Sequence, residues 1–425
     1  MIVFSRRSFR TLVLGFAGIL SLACADRARA DALLLIEAST GKVLHAENAT
    51  LPWYPASVTK LMTAYTTLRA VKEGRISINT LLTVSRNAAA QQPTKMGFKI
   101  GATVTVDNAL KMLMVKSAND VAVTLAEGVG GSLEGFADLM NANARRLGMT
   151  QSNFVNPNGL PAENHVSSAR DLAILARAVI REFPEYDGYW HIASIRYGNR
   201  VMRNYNSLIY RYPGADGMKT GFICASGYNV VASATRNGRR LIAVVLGSWS
   251  GAVRAQKAAQ MLERGFNSGG LSWLTPSLGT VDALAPVDAQ PPNLREEMCG
   301  AHRRKPPSED NEEEPEESAS NASEESGNGQ AFMLSGAKPA KFVLGPPVET
   351  TPPVVVFTGP ADRPDTVEQI ASATPKKKKK AADKTEASKK PAKAAKTEDA
   401  KSAKSAKTAK PAKPAAKPKV SSTTQ

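Results

Sequence analysis

The composition of the chain changes sharply near residue 270, and this change limits how much of it can form a folded core. Residues 309–325 hold nine acidic side chains and no basic one, and the stretch from residue 371 onward repeats Lys-Pro-Ala and Lys-Ser-Ala units with almost no aromatics. Neither segment carries enough apolar surface to offset the entropy of ordering. We therefore expect one folded domain over residues 31–270 and a low-complexity tail over residues 271–425, disordered from residue 290 except for a short patch near Phe332 to Phe342.

The N-terminal residues predict an export signal. Arg6, Arg7 and Arg10 precede an apolar stretch over residues 12–23, and small residues follow at Ala28 and Ala30. This pattern indicates a signal peptide over residues 1–30 and a periplasmic or cell-envelope location. Three alternatives remain open: an uncleaved anchor, a twin-arginine signal, and lipidation at Cys24.

The formal net charge of +17 belongs mainly to the tail. Residues 371–425 carry +13, which leaves +4 for the other 370 residues. Such a tail binds polyanions through counterion release, and in an exported protein the expected partners are anionic envelope polymers rather than nucleic acid. Because proline and alanine space the lysines irregularly, they form no apolar helix face, and no stable membrane anchor is expected beyond the signal peptide.

The two cysteines that remain after cleavage exclude a disulfide-rich scaffold. A bridge between Cys224 and Cys299 is one option. Cys299 lies in the segment expected to be disordered, so two unrelated thiols are favoured. We expect no metal site and no cofactor.

Hydrophobic periodicity predicts an α+β fold. Apolar runs indicate strands at Ala32 to Glu37 and Val43 to Ala46, and Asn237-Gly238 between two further runs is a strong hairpin signal. Between these hairpins the apolar period becomes helical. The resulting order, strands, helices, strands and helix, indicates an antiparallel sheet with a helical insertion. The helices are expected to include Ala109, Leu110, Leu113 and Met114 with Asp107 as cap, and to cover Val121 to Val129, Leu133 to Leu147, Ser168 to Ile180, and Val253 to Phe266.

Three short motifs carry the chemistry. In Ser57-Val58-Thr59-Lys60, a helix that begins near Pro55 places the serine hydroxyl and the lysine amine on one face. A serine needs a base to become a nucleophile, and lysine serves when burial and a nearby cation lower its pKa. Lys219, in Lys219-Thr220-Gly221, is a candidate for that cation. Read alone, the first motif is more often a helix cap beside a solvated lysine.

The other two motifs support the nucleophilic interpretation. In Ser117-Ala118-Asn119, Ser117 can relay a proton and the Asn119 amide can orient Lys60 and a substrate carbonyl, although both residue types are common in turns. Gly221 lets a peptide backbone approach the edge of the sheet, where main-chain hydrogen bonds bind it.

The three motifs lie in longer contexts, which are Tyr54-Pro55-Ala56-Ser57-Val58-Thr59-Lys60, Ser117-Ala118-Asn119-Asp120 and Asp216-Gly217-Met218-Lys219-Thr220-Gly221. With these contexts, the chain resembles the low-molecular-mass penicillin-binding proteins of the D-alanyl-D-alanine carboxypeptidase family over about residues 31–270. Two further segments, Asn156-Pro157-Asn158-Gly159-Leu160 and Gly227-Tyr228-Asn229, also look like family segments. The resemblance implies a β-lactamase/transpeptidase-like fold, hydrolysis of the terminal D-alanine of peptidoglycan stem peptides, and acylation by β-lactam antibiotics.

The resemblance also implies roles for single residues. Ser57 corresponds to the acylated nucleophile, Lys60 to the general base, and Ser117 with Asn119 to the proton relay and orienting group. Lys219, Thr220 and Gly221 correspond to the substrate-binding strand, and the N–H groups of Ser57 and Phe222 to the oxyanion hole. Arg254 matches an arginine that binds the substrate carboxylate, with a surface helix arginine as the alternative.

The chain departs from many relatives at two places. It has Phe222-Ile223-Cys224 where many relatives have a polar residue two positions after the glycine that corresponds to Gly221. Its tail replaces the β-rich second domain and the membrane-binding helix that such relatives often carry.

Two other functions stay open. One is a β-lactamase, for which Glu163 is the nearest candidate for the deacylating glutamate but lacks the usual spacing to its asparagine. The other is an exported polyanion-binding protein that acts through its Lys-rich tail.

Overall fold

The computed structural model describes residues 31–268, 277–301, 343–348 and 351–363. The expected signal peptide, the patch near Phe332 to Phe342, the acidic segment and the Lys-rich segment lie outside these residues. Within the described ranges, no helix is both long and apolar enough to cross a bilayer.

Ten strands are formed within the described residues. They are β1 (Ala32–Glu37), β2 (Val43–Glu47), β3 (Leu81–Thr83), β4 (Thr103–Thr105), β5 (Ser194–Tyr197), β6 (Arg200–Arg203), β7 (Ala215–Ile223), β8 (Gly227–Arg236), β9 (Arg239–Ser248) and β10 (Val354–Val356). The main sheet is antiparallel, in the order β2-β1-β9-β8-β7. Asn237 and Gly238 connect β8 to β9 with φ values of 50° and 74°, the conformation that a two-residue hairpin loop requires.

The described helices cover both faces of this sheet. They are α1 (Lys60–Lys72), α2 (Arg86–Ala90), α3 (Val106–Val115), α4 (Asn119–Gly130), α5 (Leu133–Leu147), α6 (Ala169–Glu182), α7 (Leu208–Arg211), α8 (Gly251–Asn267) and α9 (Arg295–Cys299). Successive strand residues point to opposite faces. Leu35 and Val245 therefore pack against Leu262 of α8 in a smaller core, whereas Leu34 and Val244 join the larger core of the helical layer.

Asp107 does not cap α3, contrary to the prediction. The helix begins at Val106, two residues earlier than a cap at Asp107 requires, and the Thr105 hydroxyl accepts the hydrogen bond from Asn108 N at 3.2 Å. Asp107 instead lies in the first turn, where its carboxylate accepts a hydrogen bond from Lys111 Nζ at 2.6 Å.

Three stretches of the segment expected to be disordered are ordered. Residues 277–301 lie along the domain and end in α9, where Met298 is fully buried. β10 adds to β5 in parallel, because a short apolar run can complete an open sheet edge. The expected disorder is therefore wrong for residues 290–301, 343–348 and 351–363. The preference for two unrelated thiols is also wrong, because α9 brings Cys299 to Cys224, and the two form a disulfide.

Candidate active site

Ser57 lies in a turn that leads directly into α1. A 3-10 turn covers Ala56–Thr59, and the α-helix continues from Lys60. Ser57 is partly exposed, whereas Lys60 is fully buried one turn further on. The expected start near Pro55 therefore agrees with the structure, and the serine is the member of the pair that solvent or a substrate can reach.

The buried Lys60 ammonium joins three parts of the chain. Its Nζ donates to Ser57 Oγ at 2.9 Å, to Asn119 Oδ1 at 2.8 Å and to the backbone carbonyl of Asn158 at 2.7 Å. A buried lysine needs such partners, because an unpaired charge away from water is costly. The three acceptors also determine where the amine points, which is toward the serine hydroxyl.

Ser117 and Asn119 lie where α3 ends and α4 begins. Ser117 has a φ of 56°, and its Oγ is shielded from solvent with no hydrogen-bond partner among the described residues. The Asn119 side chain accepts from Lys60 and donates from Nδ2 to the carbonyl of Gln92 at 3.0 Å. A buried hydroxyl without a partner is rare and costly, which makes Ser117 a candidate for contact with a substrate or a transferred proton.

Asn158 is a site residue to which the sequence analysis assigned no role. Its backbone carbonyl, not its side chain, binds Lys60, so residue type carried no signal. The neighbouring Gly159 does carry a sequence signal, which the structure explains. Gly159 has a φ of 80°, and a Cβ there would lie 1.8 Å from the carbonyl oxygen of Ala56. Only glycine lets this loop approach the serine turn so closely.

β7 passes immediately beside the serine turn. A Cβ added to Gly221 would lie 2.7 Å from Ser57 N and 2.8 Å from Val58 N. Lys219, 1% exposed, donates from Nζ to the carbonyl of Thr220 at 3.0 Å. Thr220 Oγ1, like Ser117 Oγ, is shielded from solvent and has no hydrogen-bond partner in the described part of the chain. The predicted third motif therefore lies against the first.

Asn229 on β8 attaches the segment before the nucleophile to the sheet. Its Nδ2 donates to the carbonyl of Tyr54 at 2.9 Å, and its Oδ1 accepts from Gly247 N at 3.0 Å. Because this side chain links β8, β9 and the serine turn, the position of Ser57 relative to β7 depends on it.

Phe222 and Arg254 lie against the same tyrosine. The rings of Phe222 and Tyr228 are 4.4 Å apart, and the Arg254 guanidinium lies 5.7 Å from the Tyr228 ring. Arg254 is 1% exposed and donates to the carbonyls of Asn229 at 3.2 Å and Tyr205 at 3.4 Å. It is therefore not a surface arginine, and the alternative interpretation of this residue is wrong.

His165 contacts the serine turn through Thr59. Val155 N donates to its Nδ1 at 3.0 Å, so Nε2 carries the proton and donates to Thr59 Oγ1 at 2.8 Å. Burial, together with the nearby positive charge of Lys60, lowers the pKa of His165 to about 4. The imidazole is thus neutral near pH 7. The sequence analysis assigned no role to this histidine.

Asp120, directly after Asn119, binds the backbone of the segment at Met96 and Gly97. Its carboxylate accepts from Met96 N at 3.0 Å and Gly97 N at 2.8 Å. Burial raises the pKa of this carboxyl, and the backbone hydrogen bonds oppose that effect. No cluster of side chains suited to a metal ion occurs in the described residues.

Comparison with known proteins places this chain in a family. A sequence model of the D-alanyl-D-alanine carboxypeptidase family, peptidase S11, matches residues 21–250. The D-alanyl-D-alanine carboxypeptidase DacC of Escherichia coli K12 is 36% identical over 244 residues, which make up 56% of this chain and 61% of DacC. The chain thus spans about three fifths of the length of that curated relative.

Solved structures agree with the sequence match. Penicillin binding protein 6B from Escherichia coli aligns with a TM-score of 0.53 at 36% identity, covering 55% of this chain and 76% of that one. Penicillin-binding protein D2 from Listeria monocytogenes in a cefotaxime-bound form aligns with a TM-score of 0.51 at 29% identity, covering 56% and 97%. The predicted α+β, transpeptidase-like fold class is confirmed.

The fold and the serine–lysine site define the class as that of the penicillin-binding proteins. Within this class, the chain belongs to the D-alanyl-D-alanine carboxypeptidase family, as the sequence motifs predicted.

Proposed function

We propose that this protein is an exported serine-type D-Ala-D-Ala carboxypeptidase. It removes the terminal D-alanine from peptidoglycan pentapeptides through an acyl-enzyme on Ser57. The observation that carries the proposal is the accessible Ser57 hydroxyl, 2.9 Å from the buried amine of Lys60 and beside the glycine of β7. The family membership supports the same activity.

In the acylation step, Lys60 acts as the general base. When the amine is neutral, two N–H groups still serve Asn119 Oδ1 and the Asn158 carbonyl, and the lone pair faces Ser57 Oγ. The Ser57 proton moves to Nζ as Oγ bonds to the carbonyl carbon of the penultimate D-alanine. The carbonyl oxygen becomes an oxyanion, which the N–H groups of Ser57 and Phe222 stabilise.

Collapse of this intermediate releases the terminal residue. The C–N bond breaks, and the leaving amine takes a proton that Ser117 Oγ relays from Lys60. The absence of a hydrogen-bond partner for Ser117 Oγ among the described residues supports this role. Water then attacks the ester with Lys60 again as base, which frees Ser57 and the shortened peptide.

The terminal carboxylate of the substrate binds at β7. Lys219 supplies positive charge, Thr220 Oγ1 supplies a hydroxyl that lacks a partner in the described residues, and Arg254 adds positive charge from α8. Because Arg254 donates to two backbone carbonyls, we propose that it acts through the field of its charge and by positioning β8 rather than through a bidentate contact.

Penicillin labelling tests the proposal. Intact-mass measurement of the mature protein after incubation with benzylpenicillin is expected to show one added ligand, mapped by peptide digestion to Ser57. Ser57→Ala should remain unlabelled, whereas Ser250→Ala, which removes the cap of α8, should label normally. Labelling at another residue, or no labelling of folded wild-type protein, contradicts the proposal.

A β-lactamase is the less favoured function. The loop that reaches Lys60 offers the Asn158 carbonyl, and Glu163 is exposed on its far part. A slow release of the penicilloyl group is therefore expected. Rapid turnover of a chromogenic cephalosporin contradicts this ranking.

We further propose that the Lys-rich tail holds the enzyme against anionic envelope polymers. The +13 charge of residues 371–425 supports this role. Deleting residues 364–425, which lie beyond the described domain, should move the protein from the envelope fraction to the soluble fraction at low salt. Unchanged fractionation contradicts the tether.

A further inference from the structure

A segment beyond the family match is built into the domain. Residues 351–363, which we call the C-terminal clamp, lie well after residue 250, where the family match ends. They contain β10, in which Val356 is fully buried, and the nearby Thr358 is only 4% exposed. Val356 belongs to the same hydrophobic core as α3. The clamp is therefore a folded part of this chain that the family model does not cover.

The clamp contacts three elements in succession. β10 pairs in parallel with β5 over all three of its residues. Directly after β10, Phe357 N donates to Asn108 Oδ1 at 3.3 Å, and Gly359 N donates to the carbonyl of Thr103 at 2.8 Å. Thr103 belongs to β4, and Asn108 belongs to the first turn of α3. The clamp thereby joins β5 to the start of α3.

The side chain of Asn108 depends on the clamp for a hydrogen bond. Asn108 is 1% exposed, and its Nδ2 donates to Thr105 Oγ1 at 2.9 Å. Among the described residues, Phe357 N is the donor to its Oδ1. A buried amide oxygen that loses its donor is costly, so the loss of the clamp favours a shifted start of α3.

The other end of α3 leads to the proposed proton relay. The helix ends at Val115, and Ser117 follows two residues later with a φ of 56°. This left-handed conformation is uncommon for a residue other than glycine and persists only where the surrounding structure holds it. Because a helix of ten residues is a stiff rod about 15 Å long, a shift at Asn108 is carried to Ser117.

A second route from the clamp to the relay runs through two aromatic rings. Tyr197 lies on β5, the strand to which β10 adds, and its ring is 5.5 Å from the ring of Phe98 in an edge-to-face contact. Both rings are buried. Phe98 follows Thr94 in one loop, and Thr94 Oγ1 donates to the carbonyl of Ser117 at 2.8 Å. The carbonyl of Thr94 also accepts from Asn119 N at 2.8 Å. Both routes therefore end at the Ser117–Asn119 segment.

We propose that the C-terminal clamp positions Ser117 for proton transfer to the leaving amine. Phe357 and Gly359 bind α3 and β4 rather than a reacting group, so the clamp acts through α3 and through the loop that contains Thr94. The inference rests on the proposed carboxypeptidase function, in which Ser117 Oγ relays a proton from Lys60. Loosening the clamp therefore slows the cleavage of bonds whose leaving group must take up a proton.

Two substrates with the same acyl part separate this effect from a general loss of structure. One ends in D-Ala-D-Ala, and its amine leaves only after it takes up a proton. In the other, a thioester of mercaptoacetate replaces the last D-alanine, and its thiolate leaves without a proton because a thiol has a pKa of about 8.5. The measured quantity is kcat/KM for the amide divided by kcat/KM for the thioester, with the mature, full-length protein.

Val356→Asp places a carboxylate in the core and should detach the clamp. The amide-to-thioester ratio is expected to fall about tenfold, since a misplacement of about 1 Å can cost up to about 10²-fold in rate. Val356→Ala, which removes two methyl groups from the same contact, should lower the ratio by a smaller factor. The matched control is Val355→Asp, because Val355 is the preceding residue of β10 and is 51% exposed. This control should keep the wild-type ratio.

A comparison with Ser117→Ala tests whether the clamp acts through the relay. Ser117→Ala removes the relay and should lower the ratio at least tenfold by itself. In the Ser117→Ala background, Val356→Asp should lower the ratio no further, because two changes that act through one group are not additive. Thermal melting of each variant checks that it folds, and if Val356→Asp does not fold, Val356→Ala takes its place.

The outcomes separate the clamp from the function on which it depends. A wild-type ratio in folded Val356 variants contradicts the clamp, and so does an equal loss of activity on the two substrates. A further fall of the ratio in the Ser117→Ala background contradicts action through Ser117. A lower ratio in Ser117→Ala alone, with the Val356 variants unchanged, leaves the carboxypeptidase standing without the clamp. No D-alanine release and no penicillin labelling of wild-type protein contradict the proposed function itself.

Discussion

At the scale of single residues, the proposed mechanism depends on a lysine that can lose a proton. Arginine keeps the positive charge of Lys60, but it cannot be deprotonated in a protein. Lys60→Arg is therefore expected to slow penicillin labelling of Ser57 about 10²–10⁴-fold, the usual contribution of a general base. Stopped-flow labelling with a fluorescent penicillin measures this rate, and thermal melting checks that the variant folds. Wild-type labelling in a folded variant would falsify the assignment of Lys60 as the base.

His165 makes a second prediction at this scale. Its pKa in the folded protein is about 4, below the ordinary value near 6.5. Between these values the unfolded chain binds a proton that the folded protein does not, so the stability that neutral His165 supplies is present above pH 6.5 and is lost as the pH falls toward 4. The expected loss is about 3 kcal/mol.

Urea unfolding of wild type and His165→Gln at pH 7.5 and pH 4.5 measures this effect. Glutamine can accept from Val155 N and donate to Thr59 but does not titrate. Asp120 and Asp171 have raised pKa values and shift the stability of both proteins in the opposite direction, so the difference between the two proteins isolates His165. Parallel pH dependences contradict the prediction.

At the scale of elements, the close approach of β7 to the serine turn requires Gly221. A Cβ there meets two backbone nitrogens at 2.7 and 2.8 Å, so Gly221→Ala should push β7 away from Ser57. β7 is an edge strand, and we expect the variant to fold with at least a tenfold slower labelling rate, a loss of about 1.4 kcal/mol of transition-state stabilisation. Gly188→Ala is the control, because a Cβ at that glycine meets nothing within 4 Å. Equal labelling of both variants contradicts the argument.

Elements with strong local signals were predictable from the sequence. β1 and α5 have the expected bounds, because an apolar run between turn residues and a helical period over fifteen residues are local properties. β5, β6 and β10 were not predicted. They are three or four residues long, and their pairing depends on surfaces that other parts of the chain supply.

The residues of the candidate site also fall into two groups, those that the sequence indicated and those that it did not. The sequence pointed to Ser57, Lys60 and Lys219 because the proposed chemistry requires those side chains. Asn158 contributes a backbone carbonyl, and His165 acts through a contact with Thr59, so neither role is visible in residue type. Their contributions depend on the tertiary position of one loop.

At the scale of the whole molecule, the disulfide closes a loop of 75 residues that contains β8, β9 and α8. Chain-entropy arguments give such a crosslink about 4 kcal/mol of stabilisation, mostly through the unfolded state. Cys224→Ser with Cys299→Ser should therefore lower the unfolding free energy by up to about 4 kcal/mol. Because the hydrogen bonds of Lys60 to Ser57, Asn119 and Asn158 do not involve residues 281–299, the labelling rate of Ser57 should stay within about twofold of wild type.

This pair of measurements distinguishes two roles for the crosslink. Urea unfolding reports stability, and labelling with benzylpenicillin reports the reactivity of Ser57. Cys24 lies before the proposed cleavage site, so the mature double variant contains no cysteine and needs no reductant. Reduced stability with normal labelling is the expected result. If labelling falls as steeply as stability, the crosslink to Cys299 holds β7 itself in place, and the disulfide has to be counted as part of the catalytic site.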